Sequence, residues 1–148
     1  MITTDFVAQN TVDLLSIDAN SFSQTAGNNV RLITSPFTPS GGLVVADLTF
    51  AAGNGLDPIA QPSGAAAWGI DPITGAYFID LTAPAGGWKW TLVASAAPVT
   101  IYGLAFVNGV TTLLIGSSLL PQPVVMQTIH QILDVGPITF VLVQSPFS

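Results

Sequence analysis

The stretch that decides the fold is Val99–Val125, VTIYGLAFVNGVTTLLIGSSLLPQPVV, which contains no Lys, Arg, Asp, Glu or His. Its β-branched and aromatic residues predict a strand over Thr100–Val107 and a returning strand over Thr111–Leu120. Asn108-Gly109 between them favours the positive φ angles of a type I′ hairpin turn. Pro121–Pro123 is expected to end the second strand, because proline cannot donate to a strand ladder. The stretch therefore predicts a long uncharged β-hairpin.

Similar strand patterns, separated by clusters of Gly and Pro, run along the rest of the chain. Strands are predicted at 30–34, 43–50, 65–70, 76–83, 88–95 and 138–144, and the segment 124–133 is ambiguous between strand and helix. Together these give about eight strands at a spacing of roughly 10–12 residues, which is typical of an antiparallel sandwich or barrel. We expect an all-β fold, an antiparallel β-sandwich that occupies residues 28–148.

Residues 1–27 differ from this pattern, since they hold three of the eight acids and many Asn, Ser and Thr. Residues 6–22 fit a short amphipathic helix, and Val12–Ile17 within them fits a strand equally well, because the periodicity does not decide between the two. We treat 1–27 as an N-terminal arm or short helix that precedes the sandwich domain. The alternative is an ordinary first element that packs on the sheet.

The chain carries very little charge. Hydrophobic residues make up 49% and charged residues 7% of the sequence, against roughly 25% charged residues in an average soluble protein. All eight acids are Asp, the cations are Arg31 and Lys89, and the net charge is −6. Asp favours turns, whereas helical surfaces favour Glu and Lys, so this inventory argues against a helical protein. A soluble domain normally uses charge to stay apart from its copies, so we expect one that belongs to an assembly.

Composition also excludes several classes of function. Two cations cannot neutralise a run of phosphates, so we expect no nucleic-acid partner and no attraction to anionic lipid. No uninterrupted apolar run reaches the roughly 18 residues that a membrane-spanning helix needs. The chain has no Cys, which removes disulfides, thiolate metal sites and Cys nucleophiles.

The sequence offers few candidates for catalysis or metal binding. His130 is the only His, no G-x-S-x-G motif is present, and a zinc site would need several ligands at workable spacing. Asp57-Pro58 and Asp71-Pro72 are typical of turns that an Asp side chain caps. A glycosidase needs two carboxylates across a cleft. Asp47 and Asp80 lie in predicted strands, and the fold could bring these two together. We expect no enzyme, no catalytic residue, no cofactor and no metal.

The aromatic residues are the best lead to a binding site. Trp68, Tyr77, Trp88 and Trp90 could form a face that stacks on a sugar or contacts another subunit. In the alternating stretch after Gly87, Trp88 and Trp90 share a face with Leu92. That pattern favours burial of the two tryptophans in the core or in a subunit interface.

The order of motifs resembles that of small structural proteins of phages and environmental viruses. The first part of the resemblance is a strand, a Thr-Pro loop, an Ala-Asp-Leu-Thr strand and a Gly-containing segment. The matching residues are Val30, Arg31, Leu32, Thr38, Pro39, Ala46, Asp47, Leu48, Thr49 and Gly55. The second part is a late hairpin with the strand Ile101-Tyr102-Gly103, a polar turn, Pro121 and Pro123, and a closing strand at the C-terminus.

This resemblance covers about residues 28–148 and implies a compact β-sandwich exposed on a virion, with no catalytic residue to carry over. We expect a non-enzymatic virion structural protein of jelly-roll type, such as a capsid decoration or cement protein or a head–tail-associated protein of a bacteriophage. Its expected partners are copies of itself and major capsid or tail proteins. The alternative is a carbohydrate- or receptor-binding module of a phage tail, with a host glycan as the partner.

Overall fold

The structure is a computed structural model. It describes residues 2–3, 6–11, 28–40, 42–61, 66–70, 72–73, 77–81, 84–94, 97–109, 112 and 114–143. Side chains are described for a smaller set, namely 28–40, 42–61, 72–73, 84–94, 97–109, 112, 114 and 116–138. Over these residues the fold is all-β, with no α-helix. The strands are β1 (Ile2–Thr3), β2 (Phe6–Thr11), β3 (Asn29–Ile33), β4 (Ile59–Ala60), β5 (Ala66–Ile70), β6 (Tyr77–Leu81), β7 (Lys89–Thr91), β8 (Val99–Val107), β9 (Leu114–Met126), β10 (Ile132–Asp134) and β11 (Ile138–Val143).

These strands form three hydrogen-bonded sheets. One has the order β4-β3-β8-β9, the second β2-β11-β6-β5, and the third, which is small, β1-β10-β7. The first sheet is antiparallel throughout. In the other two sheets β1 and β2 pair in parallel with β10 and β11, whereas the remaining pairs are antiparallel. The expected strands at 65–70, 76–83, 88–95 and 138–144 are confirmed with shorter bounds, and that at 30–34 is confirmed with a shift of one residue, to Asn29–Ile33.

The beginning of the N-terminal segment is strand rather than helix. Phe6–Thr11 pairs residue for residue with Ile138–Val143 as β2. The amphipathic helix over residues 6–22 is therefore wrong for its first six residues, which join the sheet as a first element. The predicted strand Val12–Ile17 lies outside the described residues.

The main hydrophobic core lies between the first sheet and the other strands. Val30, Leu32, Leu104 and Phe106 project into it from β3 and β8, and each is at most 1% exposed. The opposite layer supplies buried residues from around β7, β10 and the start of β11: Trp88, Trp90, Leu92, Leu133, Val135 and Ile138. Buried residues from both layers thus meet in one cluster, as in two sheets packed face to face.

Strand β8 is buried on both faces. Every residue from Gly103 to Val107 is buried, and alternate residues of a strand point to opposite faces. Leu104 and Phe106 belong to the main core, whereas Ala105 and Val107 belong to a second cluster with Ile33 and Leu48. This double burial explains why the sequence GLAFV shows an unbroken apolar run instead of alternation.

The segment 43–50, predicted as a strand, instead covers the outer face of the first sheet. It contains a 3-10 turn at Val45–Asp47, and its one bridge to a strand joins Phe50 to Ile33. The Asp47 carboxylate accepts the Val44 N–H at 3.0 Å, and such local side-chain bonds compete with strand pairing. Phe37, Leu43, Val45 and Phe50 pack on the second cluster. Leu48 is buried and Leu43, Val45 and Phe50 are partly buried, whereas Val44 is 50% exposed, so the segment packs as a cover and not as a strand.

The central hairpin is confirmed, but its turn is longer than predicted. Val107 pairs with Leu114, so a two-residue type I′ turn at Asn108-Gly109 does not join the two strands directly. The positive φ falls on Thr112 (56°), whose N–H donates to the Asn108 carbonyl at 3.0 Å. The Gly109 N–H donates to Oδ1 of the fully buried Asn28 at 3.1 Å, which ties the loop to β3.

Pro121–Pro123 does not end the strand, contrary to the prediction. Strand β9 continues to Met126, and its register with β8 shifts between Gly103↔Leu119 and Ile101↔Val124. The extra residues on β9 bulge out of the ladder here, so the missing proline N–H groups leave no hydrogen bond unmade. After Met126 a short turn leads into β10, so the ambiguous segment 124–133 contains strand and turn but no helix.

The tight contact at Gly103 predicts a specific sensitivity to substitution. A Cβ added there would lie 2.7 Å from ring carbons of Phe37 and would also collide with the Ser118 carbonyl. We expect Gly103→Ala to lower the free energy of unfolding by about 1–3 kcal/mol, as overpacking does in well-packed cores. Gly42→Ala is the control, because a Cβ there has no neighbour within 4 Å. Urea unfolding of both variants measures the difference, and equal stabilities would contradict the packing of Phe37 on β8.

Candidate functional site

Two of the four aromatic residues predicted as a contact surface lie inside the core. Trp88 and Trp90 are each 1% exposed. The Trp90 indole N–H donates to the main-chain carbonyl of Asp57 at 2.9 Å, while Trp88 Nε1 makes no hydrogen bond with the described residues. A buried ring cannot stack on a sugar at the surface, so these two tryptophans are not available as glycan contacts. Their placement follows from the face they share with Leu92, which is also buried.

The other two aromatic residues lie on neighbouring strands of the second sheet. Trp68 is on β5 opposite Ile79, and Tyr77 is on β6 opposite Ile70. The side chains of β5 and β6 lie outside the described residues, so Trp68 and Tyr77 stay a prediction as contact residues. The structure therefore does not bring the four aromatic side chains together into one described face.

The described Asp side chains have local structural contacts. Asp57 Oδ1 accepts the Gly53 N–H at 2.7 Å, which confirms the prediction that Asp57 caps a turn. Asp134 Oδ1 accepts the Gly136 N–H at 2.9 Å, and its Oδ2 lies 3.6 Å from Lys89 Nζ on the neighbouring strand. Asp71 lies outside the described residues. Asp47 is on the 3-10 turn that packs on the first sheet whereas Asp80 is on β6 of the second, so strand pairing does not bring the two together.

His130 lies in the exposed turn between β9 and β10. It has a positive φ of 71°, and its backbone N–H donates to the Leu92 carbonyl at 2.7 Å. The Gln131 side chain closes the same turn, since its Oε1 accepts the Gln127 N–H at 2.9 Å and its Nε2 donates to the Val125 carbonyl at 2.8 Å. Within the described part of the chain, no three His, Cys, Asp or Glu residues cluster as metal ligands. No described segment forms a helix long and apolar enough to cross a membrane.

Both cations of the chain are engaged by their surroundings. Arg31 donates from Nε to Asn29 Oδ1 at 2.7 Å, and its guanidinium lies 5.3 Å from the centre of the Phe50 ring. Lys89 faces Asp134 across a strand pair. A phosphate-binding surface needs several cations that converge on one ligand. Arg31 and Lys89 lie in different sheets, so they do not form such a surface.

The feature that sequence reasoning missed is an apolar surface on the outside of β9. Leu119 is 45% exposed and Val125 is 42% exposed, whereas Leu120, Val124 and Met126 between and beside them are buried. Leu119 pairs with Gly103, whose outer side is covered by Phe37. Val125 alternates with two core residues and so points away from the core. Leu119 and Val125 therefore lie on the same outer face, one on each side of the proline bulge.

We refer to Leu119, Val125 and the exposed bulge 121–123 as the β9 face. Beside it, the bulge leaves a groove of about 300 Å³, formed by residues 120–124 together with Leu133 and Val135. None of the residues of the face or of the groove has an ionisable side chain. The signal for this surface is present in the sequence, since no Lys, Arg, Asp, Glu or His occurs between Lys89 and His130.

Comparison of the chain with family models, with curated proteins and with solved structures found no match. Its function is therefore argued from its own surface. An apolar, uncharged, strand-based face with an adjoining groove suits contact with another protein better than contact with a charged ligand.

The burial of Trp88 and Trp90 predicts a fluorescence property. The chain has three tryptophans, so a Trp68→Phe variant reports only on the two core indoles. We expect blue-shifted emission and weak quenching by acrylamide, because indoles that are 1% exposed are shielded from solvent. Unfolding in guanidinium provides the exposed control. Quenching of the folded variant as strong as that of the unfolded chain would contradict the position of both residues in the core.

Proposed function

We propose that this chain is a non-enzymatic structural subunit of a virus particle, a capsid decoration or cement protein or a head–tail-associated protein of a bacteriophage. It acts through contacts with copies of itself and with major capsid or tail proteins. The observation that carries the proposal is the β9 face, an uncharged and mainly apolar surface on the β8–β9 strand pair. The resemblance in motif order to small structural proteins of phages and environmental viruses is the basis for proposing a jelly-roll topology and a location in the virion.

The charge inventory supports a role in an assembly. A freely diffusing domain is kept from associating by many surface charges of both signs. This chain has 7% charged residues and two cations, and the β9 face has no charge at all. Subunits held in a fixed array need no such repulsion, and their apolar surface is covered by neighbours. Low charge therefore leaves a lone domain prone to association, whereas it allows assembled subunits to pack closely.

The described side chains support a non-enzymatic role. The Asp residues with described contacts cap turns or pair with Lys89. His130 lies in an exposed turn without a carboxylate among its described hydrogen-bond partners. Acid–base and nucleophilic catalysis need such groups to converge within hydrogen-bond reach of one another. None of the described contacts has this form.

The carbohydrate-binding alternative loses two of the aromatic residues on which it was based. Trp88 and Trp90 belong to the core, and no contact of a described residue favours a sugar site. This alternative now depends on Trp68 and Tyr77 alone. A structural role is therefore the better supported proposal.

The proposal predicts where the chain is found. Virus particles whose genome encodes this chain, purified on a density gradient, are expected to contain it in a fixed copy number relative to the major capsid protein. Quantitative mass spectrometry of the particle fractions measures this ratio, and a cytoplasmic protein of the host serves as the contamination control. Absence of the chain from particles, or a ratio that falls with each round of purification like that of the control, would contradict the proposal.

A further inference from the structure

We propose that the segment 2–11, which contains β1 and β2, is exchanged between copies of this chain, so that in the assembled state it pairs with β10 and β11 of a second copy. The inference rests on the proposed function, since it names the way in which one subunit is joined to the next. The partner is a second copy because the structure shows which strand fits the acceptor edge, namely this segment of the same chain.

The donor segment and its acceptor run side by side through two sheets. Ile2–Thr3 pairs in parallel with residues 133–134 in the small sheet, and Phe6–Thr11 pairs in the same direction with Ile138–Val143 in the second sheet. Strands β1 and β2 are edge strands, whereas β10 and β11 each have a further partner, β7 and β6 respectively. The segment can therefore leave its place without breaking any other described strand pair.

The acceptor edge of β11 needs an occupant. Ile138–Val143 contains no charged residue and no proline, which are residue types that protect natural edge strands from unwanted pairing. Its β-branched residues favour pairing with another strand. Strand β2 also lies alongside β9, the edge strand of the first sheet, so it fills a slot between the two sheets. A stable subunit therefore has this slot filled, by its own segment or by that of a second copy.

The match between donor and acceptor identifies the second copy as the partner. Phe6–Thr11 pairs residue for residue with β11, and it carries no charge and no proline that would oppose strand addition. A second copy presents the identical segment, so exchange restores the same ladder of main-chain hydrogen bonds. Exchange of an identical element is a route to assembly of low energetic cost, because no new surface has to be complementary.

No tight turn ties the segment to its own acceptor. Parallel strands cannot be joined by a short hairpin loop, and most of the chain separates β2 from β11. Residues 12–28 connect β2 to β3. At about 3.3 Å per residue this connection spans at most about 55 Å, whereas a domain of this length has a radius of gyration of about 15 Å. The connection is therefore long enough for the segment to reach the equivalent edge of an adjacent copy.

Assembly shifts the balance between the two arrangements. In dilute solution the connection keeps the segment at a high effective concentration near its own acceptor, which favours pairing within one chain. In a fixed array the acceptor edges of neighbouring copies are present at a comparably high local concentration. Exchange there links the subunits through a strand ladder, without any contact that the single chain does not already make.

The test uses two single-cysteine variants of the full chain. Val7 and Thr139 are direct partners in the ladder, and neighbouring strands lie about 4.8 Å apart, within the range that a disulfide spans. Val7→Cys is mixed at high concentration with isotope-labelled Thr139→Cys and then oxidised, and mass spectrometry identifies the mixed disulfide dimer. We expect about tenfold more mixed dimer than for Val7→Cys with Ile73→Cys, because pairing in the ladder holds the two thiols together.

Two controls accompany this experiment. Ile73 is 92% exposed and lies outside the described strands, so Ile73→Cys measures cross-linking by random collision. The double variant Val7→Cys/Thr139→Cys is expected to form a disulfide within one chain when it is oxidised in dilute solution, which checks the register of β2 with β11. Thermal unfolding of the reduced variants shows whether the fold is intact.

Each outcome bears on the inference. Mixed dimer that exceeds the control and increases with concentration supports it. Mixed dimer at the level of the control, with a disulfide inside the double variant, shows that the segment pairs only with its own chain and overturns it. Absence of both disulfides overturns it as well, because the parallel ladder is then not present. Particles that contain the chain without any exchange leave the virion role standing, whereas exchange by a chain that is missing from particles contradicts the virion role alone.

Discussion

The double burial of strand β8 is the constraint on which the described structure depends. A strand in the middle of a two-layer protein normally has one face in the core and one in solvent. Gly103 to Val107 has no such polar face, so the chain must cover β8 on both sides. The core layer with Trp88 and Trp90 covers one side, and the segment 37–50 covers the other. Gly103 allows the Phe37 ring to lie directly on the strand.

The sequence predicts this arrangement in part. The all-β fold, the central hairpin and the burial of Trp88 and Trp90 follow from residue patterns, because alternation with Leu92 indicates which face a residue occupies. The packing of 43–50 on the outer face of the first sheet does not follow from the sequence, because β-branched apolar residues suit a strand and a covering segment equally. What distinguishes them is the contact of the Asp47 carboxylate with the Val44 N–H and the presence of a second apolar face on β8. The first is a local hydrogen bond and the second depends on tertiary structure, and neither is apparent from the apolar pattern of 43–50.

The exact positions of the exposed apolar residues on β9 do not follow from the sequence for a similar reason. In the run Leu119-Leu120 one residue is exposed and the next is buried, and only the register with β8 decides which. The rule that proline ends a strand ladder is correct locally, because Pro121 and Pro123 lie where the ladder is broken. It does not predict that β9 resumes pairing at Val124. Leu119 and Val125 keep the strand's alternation on the same side of β9, and the bulge changes only which residues of β8 lie opposite them.

The low charge of the chain and its exposed apolar residues on β9 have one explanation in the proposal that the chain functions as a part of a larger assembly. The absence of Cys from the sequence makes the direct test simple, because a single introduced thiol reports on one position. In Leu119→Cys, mild oxidation of a concentrated sample is expected to give a disulfide-linked dimer rapidly, since contact between copies through the β9 face would bring the two thiols together. In Ile73→Cys, on a surface outside the face, the same treatment is expected to give little dimer. Equal and slow cross-linking of both variants would contradict the account.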